Sequence, residues 1–304
     1  MRVYTHPACL RHAPGSGHPE APARLEAVLD ALRSGCPDLD WKEAPEAGRE
    51  QLARVHTARL IAQVLDEPAA AARNLDEDTV MSPDSAAAAL RAAGAAVAAV
   101  DAVMRGETAM AFCAVRPPGH HADADTAMGF CLFNTIAVAA AHALAVHSLQ
   151  RIAIVDFDVH HGNGTQAIFA AEPRVLHISS HQLPLYPQTG YPAERGVGNL
   201  INAPLSPGAG SLEFRGLWRE QLLPALDAFA PQLLLISAGF DAHRLDPLAD
   251  LDLGAEDFAW ISRELADIAR KHAGGRVVST LEGGYSLAAL RESVVAHVRG
   301  LSSS

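Results

Sequence analysis

Five short apolar runs alternate with amphipathic segments along the chain. The runs are AMAFCAV from Ala109, RIAIVDF from Arg151, RVLHIS from Arg174, QLLLISA from Gln232 and RVVSTL from Arg276. Their apolar residues are consecutive and do not alternate with polar ones, which is typical of strands that are buried on both faces. Because strands separated by helices form parallel sheets, the pattern predicts an α/β protein with a mostly parallel central sheet and helices on both faces.

Longer segments between these runs have apolar positions at helical spacing. They are SPDSAAAALRAAGAAVAAVDAVMRG, SLEFRGLWREQLLPALDAF and GAEDFAWISRELADIARKHAGG. We expect Ser82 or Ser85 to cap the start of the first helix, and Gly106 and Gly274 to follow the ends of the first and third. The apolar window FCLFNTIAVAAAHALAVHSL contains Asn134 and two histidines, so it predicts a buried helix and not a membrane span.

Composition limits the class of protein. The chain has 304 residues, 49% of them hydrophobic, which is enough for a large core, and we predict one domain over residues 1–304. The net charge of −11 disfavours a nucleic-acid binder and favours a soluble enzyme. The four cysteines form no C-x-x-C pair and the first residues do not resemble a signal peptide, so we expect a cytoplasmic protein without a membrane anchor. An oligomer is compatible with the sequence.

Chemically active side chains follow four of the predicted strands. RPPGHH follows the run from Ala109, DVHHGNG the run from Arg151, GFDAHRLDP the run from Gln232 and EGGY the run from Arg276. In open α/β sheets, ligands bind at the carboxyl ends of the strands. The sequence therefore predicts that these four segments form one site at that edge of the sheet.

Asp156, Asp158 and His160 are separated by two residues each, and such side chains share one face of an extended chain. Asp241 follows another strand and is expected to reach the same place. Two carboxylates and one imidazole suit Zn²⁺ or Fe²⁺ and leave room for water. For an isolated D-x-H, a buried ion-pair network without metal would be the better interpretation, but the neighbouring motifs favour a metal site.

Two further motifs suggest proton transfer and the binding of an oxyanion. The prolines and glycine of RPPGHH stiffen the loop that carries His120 and His121, and adjacent histidines at such a position are typical acid–base groups. Tyr285 follows two glycines, where its phenol can hydrogen-bond an oxyanion. Alone, a histidine pair is weak evidence, and Gly-Gly-Tyr is an ordinary turn.

Five motifs in one order, RPPGHHA, GFCLFN, DFDVHHGNGTQ, SAGFDAH and LEGGY, resemble the histone deacetylase superfamily, which includes acetylpolyamine amidohydrolases and acetoin-utilisation proteins. The segment GHPEAPARL, from Gly17 to Leu25, resembles its class II-like branch. The resemblance extends from Gly17 to Tyr285. It implies a single-domain arginase–deacetylase fold and a Zn²⁺-dependent amidohydrolase that removes an acetyl or other acyl group from an N-acylated amine.

The resemblance also implies roles for individual residues. The zinc ligands would be Asp158, His160 and Asp241, with Fe²⁺ as an alternative metal. The catalytic residues would be His120, His121, Tyr285, Asp156 and Asn163. In this set His121 is the general base and then acid, His120 gives electrostatic support beside Asp156, and Tyr285 binds the substrate carbonyl. A structural K⁺ would be held by the side chains of Asp156 and Ser179 and by the backbone carbonyls of Asp158, His160 and Ser180.

The substrate-binding residues that the resemblance implies are Gly129, Phe130, Tyr186, Leu248, Asp78 and Arg24. The carbonyl of Gly129 would accept the amide N–H, and Phe130 and Tyr186 would form the walls of a tunnel for an acyl-lysine stem. Arg24 resembles an arginine near an internal channel for acetate. Asp78 is expected to hold a peptide backbone, with a solvated acidic loop as the alternative.

Leu248 bears on the choice of substrate. Polyamine-selective members of the family place a glutamate near the mouth of the site, and Leu248 aligns with it. We therefore expect acetyl-lysine in a protein or peptide as the substrate, with an acetylpolyamine or other small acetylated amine as the alternative. Asp246 and Asp250 flank Leu248 and are expected to be able to recruit amines.

The chain departs from the family pattern at two positions. Asn163 stands where one branch has an aspartate, and a neutral partner stabilises an imidazolium less than a carboxylate does. Gln188 stands where glycine is usual. We expect Asn163 to be compatible with activity and Gln188 to alter the rim of the pocket.

The sequence disfavours two other classes of function. An arginase-like dinuclear hydrolase needs further carboxylates, and the chain has His161 and Asn163 where they would lie. A non-catalytic acyl-lysine or polyamine binder would not need His120, His121 and Tyr285. Both alternatives are therefore disfavoured.

Overall fold

Within residues 1–67 and 71–303, which are those that the computed structural model describes, eight parallel strands form the central sheet. The strands of the protein are β1 (Arg2–Thr5), β2 (Asp40–Glu43), β3 (Arg73–Asn74), β4 (Val80–Met81), β5 (Met110–Cys113), β6 (Ile152–Asp156), β7 (Val175–Gln182), β8 (Leu200–Leu205), β9 (Leu233–Ala238) and β10 (Val277–Leu281). The order across the sheet is β2-β1-β5-β10-β9-β6-β7-β8, and β3 and β4 form a separate antiparallel pair. The predicted α/β class is confirmed.

Helices cover the sheet on both faces. They are α1 (Ala8–Arg11), α2 (Pro22–Gly35), α3 (Arg49–Leu52), α4 (Ala58–Leu65), α5 (Ser85–Met104), α6 (Thr135–Val146), α7 (Asn163–Phe169), α8 (Ser211–Leu217), α9 (Leu223–Phe229), α10 (Ala255–His272) and α11 (Leu287–Ser302). Helices α5 and α6 pack together over the sheet, and α2, α10 and α11 form a second packed group. The predicted limits of the domain, 1 and 304, include residues 68–70 and 304, which lie outside the described residues.

All five predicted strands are present as β5, β6, β7, β9 and β10, and every residue in them is buried. Strands β1, β2 and β8 were not predicted. The sequence DWKE of β2 is mostly exposed at one edge of the sheet, and β8 at the other edge contains Asn202 and Pro204. Edge strands lose the apolar signal because one side of them faces solvent.

The predicted helices are present, with one correction at a helix start. Helix α5 has Asp84 at its N-cap, and the Ser85 hydroxyl instead accepts the Ser82 N–H at 2.7 Å. Gly106 follows the end of α5 with a φ of 72°, and Gly274 follows α10 with a φ of 61°. Both glycines therefore adopt the left-handed conformation that ends a helix.

Helices α5 and α6 are the most apolar segments of the chain. Helix α6 begins at the Asn134 side chain, which accepts the Ala137 N–H at 3.0 Å, and it is mostly buried as predicted. Helix α5 is long and apolar enough to cross a membrane, but 67% of its most apolar stretch is buried inside the protein. Its small side chains allow close packing, and a Cβ at Gly94 would overlap the backbone at Pro45 and Ala47.

Candidate active site

The loops that follow β5, β6, β9 and β10 meet at the carboxyl edge of the sheet, as predicted. Asp158, His160 and Asp241 each direct one ligand atom into a cluster whose atoms all lie within 4.8 Å of one another. His160 Nδ1 lies 3.1 Å from Asp158 Oδ1 and 3.2 Å from Asp241 Oδ2. All three residues are buried. Such a set of two carboxylates and one imidazole suits a divalent cation.

The prediction that Asp156, Asp158 and His160 share one face of an extended strand was wrong. Strand β6 ends at Asp156, and Asp158 and His160 lie in the turn beyond it. Side-chain caps fold this turn: the Asp158 N–H donates to Asp156 Oδ1 at 3.1 Å, and the His160 N–H donates to Asp158 Oδ1 at 2.9 Å. The carboxylates therefore shape the loop as well as supplying candidate ligands.

The cluster fits a metal ion. Asp241 Oδ2 is buried and makes no hydrogen bond among residues 1–67 and 71–303, although His160 Nδ1 lies 3.2 Å away, and Asp241 Oδ1 accepts the Val159 N–H at 2.9 Å. Asp158 Oδ2 accepts the Gly283 N–H at 2.8 Å. A Cβ at Gly283 would overlap the Asp241 carboxylate, so this position needs glycine. Since a buried carboxylate oxygen without a partner costs free energy, a cation at this place would relieve that cost.

His120 and His121 lie side by side, with ring centroids 4.0 Å apart, but have different partners. Burial disfavours the charged form of His120, yet the attraction of Asp156 and Asp158 outweighs it and raises the His120 pKa to about 10. His120 Nδ1 lies 2.9 Å from Asp156 Oδ2. His120 is therefore positively charged at neutral pH.

His121 has the opposite electrostatic environment. Burial and the positive charges of His120 and His160 hold its pKa well below the usual value of 6.5. Its Nδ1 lies 2.7 Å from Asn163 Oδ1; because an amide oxygen can only accept, the proton of the neutral ring is on Nδ1, which donates this hydrogen bond. A neutral His121 therefore has an unprotonated Nε2, and the expected pairing of His121 with Asn163 is present.

Glu282 is a site residue that the sequence did not reveal. Its Oε2 accepts the backbone N–H of Gly119 at 2.7 Å and of His120 at 3.2 Å, and its Oε1 accepts the Ser237 hydroxyl at 3.1 Å. Burial is the main cause that raises the Glu282 pKa to about 7. The Glu282 carboxylate thus holds the backbone of the loop that carries His120 and His121. The available signal was an acidic residue at the end of an otherwise apolar strand.

Tyr285 lies after β10, above a buried arginine. The Arg24 guanidinium lies 4.8 Å from the centre of the Tyr285 ring and donates to the carbonyl oxygens of Gly284 at 2.6 Å and Glu282 at 2.5 Å. Arg24 is also paired with Glu20 at 2.8 Å. Burial raises the pKa of Tyr285 well above 10.0, so its phenol keeps its proton at neutral pH. Arg24 thus lies behind the site and supports the loop of Tyr285.

A narrow pocket of about 220 Å³ leads to these groups. It is lined by Asp78, His121, Gly129, Phe130, His160, Leu185, Tyr186, Leu248 and Tyr285. Five of the six predicted substrate-binding residues thus line one pocket. The sixth, Arg24, lies outside its lining.

Phe130 forms one wall with an unusual backbone. Its φ is 66°, a conformation that side-chain-bearing residues rarely adopt and that is often found at functional sites. The Phe130 N–H donates to Thr79 Oγ1 at 3.0 Å, and the ring packs edge-on against His18 with centroids 4.8 Å apart. A Cβ at Gly129 would overlap His121, so glycine is required beside the histidine. Tyr186 packs edge-on against His121 on another side, with centroids 5.2 Å apart.

The predicted role of Asp246 as a recruiter of amines was wrong. Its side chain is buried and accepts hydrogen bonds from the backbone N–H groups of Leu248, Tyr285 and Ser286. It is therefore not available to a substrate. Asp250 is exposed, and its predicted role in recruiting amines stays a prediction. Asp78 is partly buried, and this burial together with the charge of Asp76 raises the Asp78 pKa.

The residues of the predicted K⁺ site lie on neighbouring strands. Asp156 of β6 is paired in register with Ser179 of β7. The Ser179 hydroxyl lies 2.9 Å from His181 Nδ1, and the Ser180 hydroxyl accepts the Trp218 indole N–H at 3.2 Å. Both serines are buried. The K⁺ site itself stays a prediction.

Comparisons with known proteins agree with this geometry. The model of the histone deacetylase domain family matches residues 18–301. A histone deacetylase-like amidohydrolase of Pseudomonas aeruginosa is 42% identical over 92% of this chain and 74% of its own length. A mouse protein named polyamine deacetylase HDAC10 is 39% identical over 93% of this chain and 44% of its own length. The crystal structure of the HDA15 HD domain superposes with a TM-score of 0.94 at 36% identity, covering 99% of this chain and 87% of that one.

Proposed function

Because this chain belongs to the histone deacetylase family and is a hydrolase of amide bonds, we propose that it deacetylates acetyl-lysine in peptides or proteins. One observation carries this proposal. A narrow pocket ends at a neutral His121, at the phenol of Tyr285 and at the Asp158–His160–Asp241 cluster. A base, a hydrogen-bond donor and a set of metal ligands are the groups that hydrolysis of an unactivated amide needs.

Asp158, His160 and Asp241 would hold a zinc ion, with Fe²⁺ as the alternative. When bound, this ion supplies polarisation of the amide carbonyl and a lower pKa of water. His121 Nε2 takes a proton from the attacking water. The Tyr285 hydroxyl donates to the carbonyl oxygen as negative charge develops there, and a protonated histidine then gives a proton to the leaving amine. The products are acetate and the free amine.

His120 contributes through its charge. Its imidazolium, paired with Asp156, keeps the His121 pKa low, so His121 is free to accept a proton at neutral pH. After His121 has taken that proton, the same repulsion makes it a stronger acid towards the leaving amine. The two adjacent histidines thus have different tasks although they share one loop.

The walls of the pocket favour a lysine side chain. Phe130, Leu185, Tyr186 and Leu248 present apolar surface, and the methylene chain of acetyl-lysine can pack against it. An acetylpolyamine would bring a second ammonium group to the same place, and Asp246 is already bonded to backbone N–H groups. Desolvating an unpaired ammonium is costly. The relative named polyamine deacetylase keeps the acetylpolyamine as the second candidate substrate.

The experiment is a comparison of kcat/KM for an acetyl-lysine peptide, acetylputrescine and acetylspermidine. We expect the peptide to be preferred by the wild type. We expect Leu248→Glu to shift the ratio towards the polyamines by about tenfold, or about 1.4 kcal/mol, because it adds a charge partner for the second ammonium group. Leu245→Glu is the matched control, since Leu245 is 55% exposed and does not line the pocket. A wild-type preference for acetylpolyamines would refute the lysine substrate. An equal shift in both variants would show that Leu248 has no specific role.

Other finer properties belong to the same proposal. We propose a structural K⁺ at Asp156, Ser179 and Ser180, contact of Asp78 with the peptide backbone, and activity in the cytoplasm. Asp78 lines the pocket, and Cys9, Cys36, Cys113 and Cys131 are unpaired, as in a reducing compartment.

A further inference from the structure

Asp246 connects two walls of the pocket that are far apart in the sequence. It lies in the loop after β9, and its side chain is buried. Its Oδ2 accepts the backbone N–H of Tyr285 at 2.7 Å and of Ser286 at 3.3 Å, while its Oδ1 accepts the N–H of Leu248 at 3.0 Å. One carboxylate therefore binds the loop of Tyr285 and the loop of Leu248 at the same time.

We propose that Asp246 is a positioning residue that holds Tyr285 at the height required by the substrate carbonyl and ties this position to the Leu248 wall. This inference rests on the proposed function only in assigning Tyr285 to the substrate carbonyl. The contacts themselves are properties of the chain.

The segment before Tyr285 needs such a support. Gly283 and Gly284 precede it, and glycine restricts the backbone less than any other residue type does. Gly284 has a φ of 117°, a conformation that residues with a side chain rarely adopt. Arg24 binds the carbonyl oxygens of this segment, and Asp246 binds the N–H groups that follow. The backbone on either side of the phenol is thus held from two directions by buried, charged side chains.

The Asp246 carboxylate also lies beside the N-terminus of α11. Ser286 is the N-cap of α11, so the carboxylate faces the positive end of that helix. A simple capping role would stabilise α11 without changing the reaction at Tyr285. The positioning role makes a different prediction, because it affects catalysis through the Tyr285 hydroxyl.

The variant Asp246→Asn separates the two roles. Asparagine is almost the same size but has one acceptor oxygen, so it cannot serve both Leu248 and Tyr285. We expect kcat on any acetylated amine that the wild type hydrolyses to fall by about 10- to 100-fold, since misplacement near 1 Å has such effects, while KM changes less than about threefold. Asp252→Asn is the control, because Asp252 is exposed and pairs with the exposed Arg244.

The decisive comparison uses Tyr285→Phe as a background. If Asp246 acts through the Tyr285 hydroxyl, Asp246→Asn should lower kcat little further in a protein that already lacks this hydroxyl. An equal loss in both backgrounds would overturn the positioning role and leave a purely structural one.

Amide hydrogen exchange tests the same contacts without a substrate. We expect the N–H groups of Tyr285 and Ser286 to exchange at least about tenfold faster in Asp246→Asn, and to keep the wild-type rate in Asp252→Asn. Unchanged exchange in Asp246→Asn would refute the proposal. A wild-type protein that hydrolyses no acetylated amine would instead refute the proposed function, and the exchange rates would still decide whether Asp246 holds this loop.

Discussion

At the scale of single residues, the hydrogen bond between His121 and Asn163 decides which ring nitrogen carries the proton. Asn163 Oδ1 accepts from His121 Nδ1 at 2.7 Å, which leaves Nε2 as the basic atom. Burial and the positive charge of His120 keep the His121 pKa well below 6.5. His121 is therefore neutral, and able to accept a proton, at neutral pH. An aspartate in place of Asn163 would hold the same ring but raise its pKa.

Asn163→Asp tests this assignment. The wild-type His121 pKa lies below 6.5, so the base form predominates above that pH, and kcat/KM should fall only when the pH falls through this low value. A carboxylate at position 163 raises the pKa, so the acid limb of the pH profile should move up by about one pH unit. Asn163→Ala removes the hydrogen bond without adding charge and serves as the control. An unchanged acid limb in Asn163→Asp would exclude His121 as the base.

The sequence predicts residues whose chemistry is evident from type and motif, and it misses residues whose partners are backbone groups. Asn163 was predicted beside His121, and that contact is present. Glu282 binds the N–H groups of Gly119 and His120, which are more than 160 residues away. Asp246 binds backbone at Tyr285, 39 residues away. Such contacts depend on the fold, because every residue type except proline offers the same N–H group.

At the scale of the elements, burial decides what the sequence reveals. The five predicted strands are buried throughout and contain consecutive apolar residues, whereas β2 and β8 form the edges of the sheet and carry polar residues. Helix α5 was predicted from its apolar positions at helical spacing. The reason for Gly94 in the middle of that helix became evident only from the backbone at residues 45–47, which a Cβ would overlap.

Two glycine-to-alanine substitutions in helices should have opposite effects. Alanine is favoured over glycine inside a helix by about 0.5–1 kcal/mol. Gly216 of α8 has open space where a Cβ would lie, so Gly216→Ala should increase the free energy of unfolding by about this amount. Gly94→Ala should instead lower it by about 1–3 kcal/mol, because the new methyl group overlaps backbone atoms. Urea unfolding of both variants checks this. A stabilised Gly94→Ala protein would contradict the packing of α5.

At the scale of the whole molecule, buried histidines link stability to pH. Burial lowers the pKa of His56 to about 4 and of His297 to about 3. In the folded protein both rings therefore stay neutral at pH values somewhat below 6.5, where a histidine of ordinary pKa is already protonated. His297 lies between the hydroxyls of Ser262 and Ser279, at 2.7 and 2.9 Å. When the chain unfolds, these rings bind protons that the folded protein does not bind.

The contribution of these two histidines to the free energy of unfolding should therefore be greatest above pH 6.5 and should fall as the pH falls from 6.5 towards 3. Each such histidine contributes a slope of about 1.4 kcal/mol per pH unit within this window. His297→Asn should be less stable at pH 7 but should show a smaller fall between pH 6 and about pH 4. Urea unfolding at several pH values gives both slopes. Equal slopes in the two proteins would show that His297 is not neutral in the folded state.

The central claim is that one divalent ion at Asp158, His160 and Asp241 supports amide hydrolysis in this pocket. Its most direct test is to titrate chelator-treated protein with Zn²⁺ while measuring acetate release from an acetyl-lysine peptide. We predict that activity is absent without metal and reaches its maximum at one equivalent of zinc, and that folded Asp241→Asn protein neither binds the ion tightly nor gains activity. Full turnover by the metal-free protein, or a maximum reached only at two equivalents, would contradict the account.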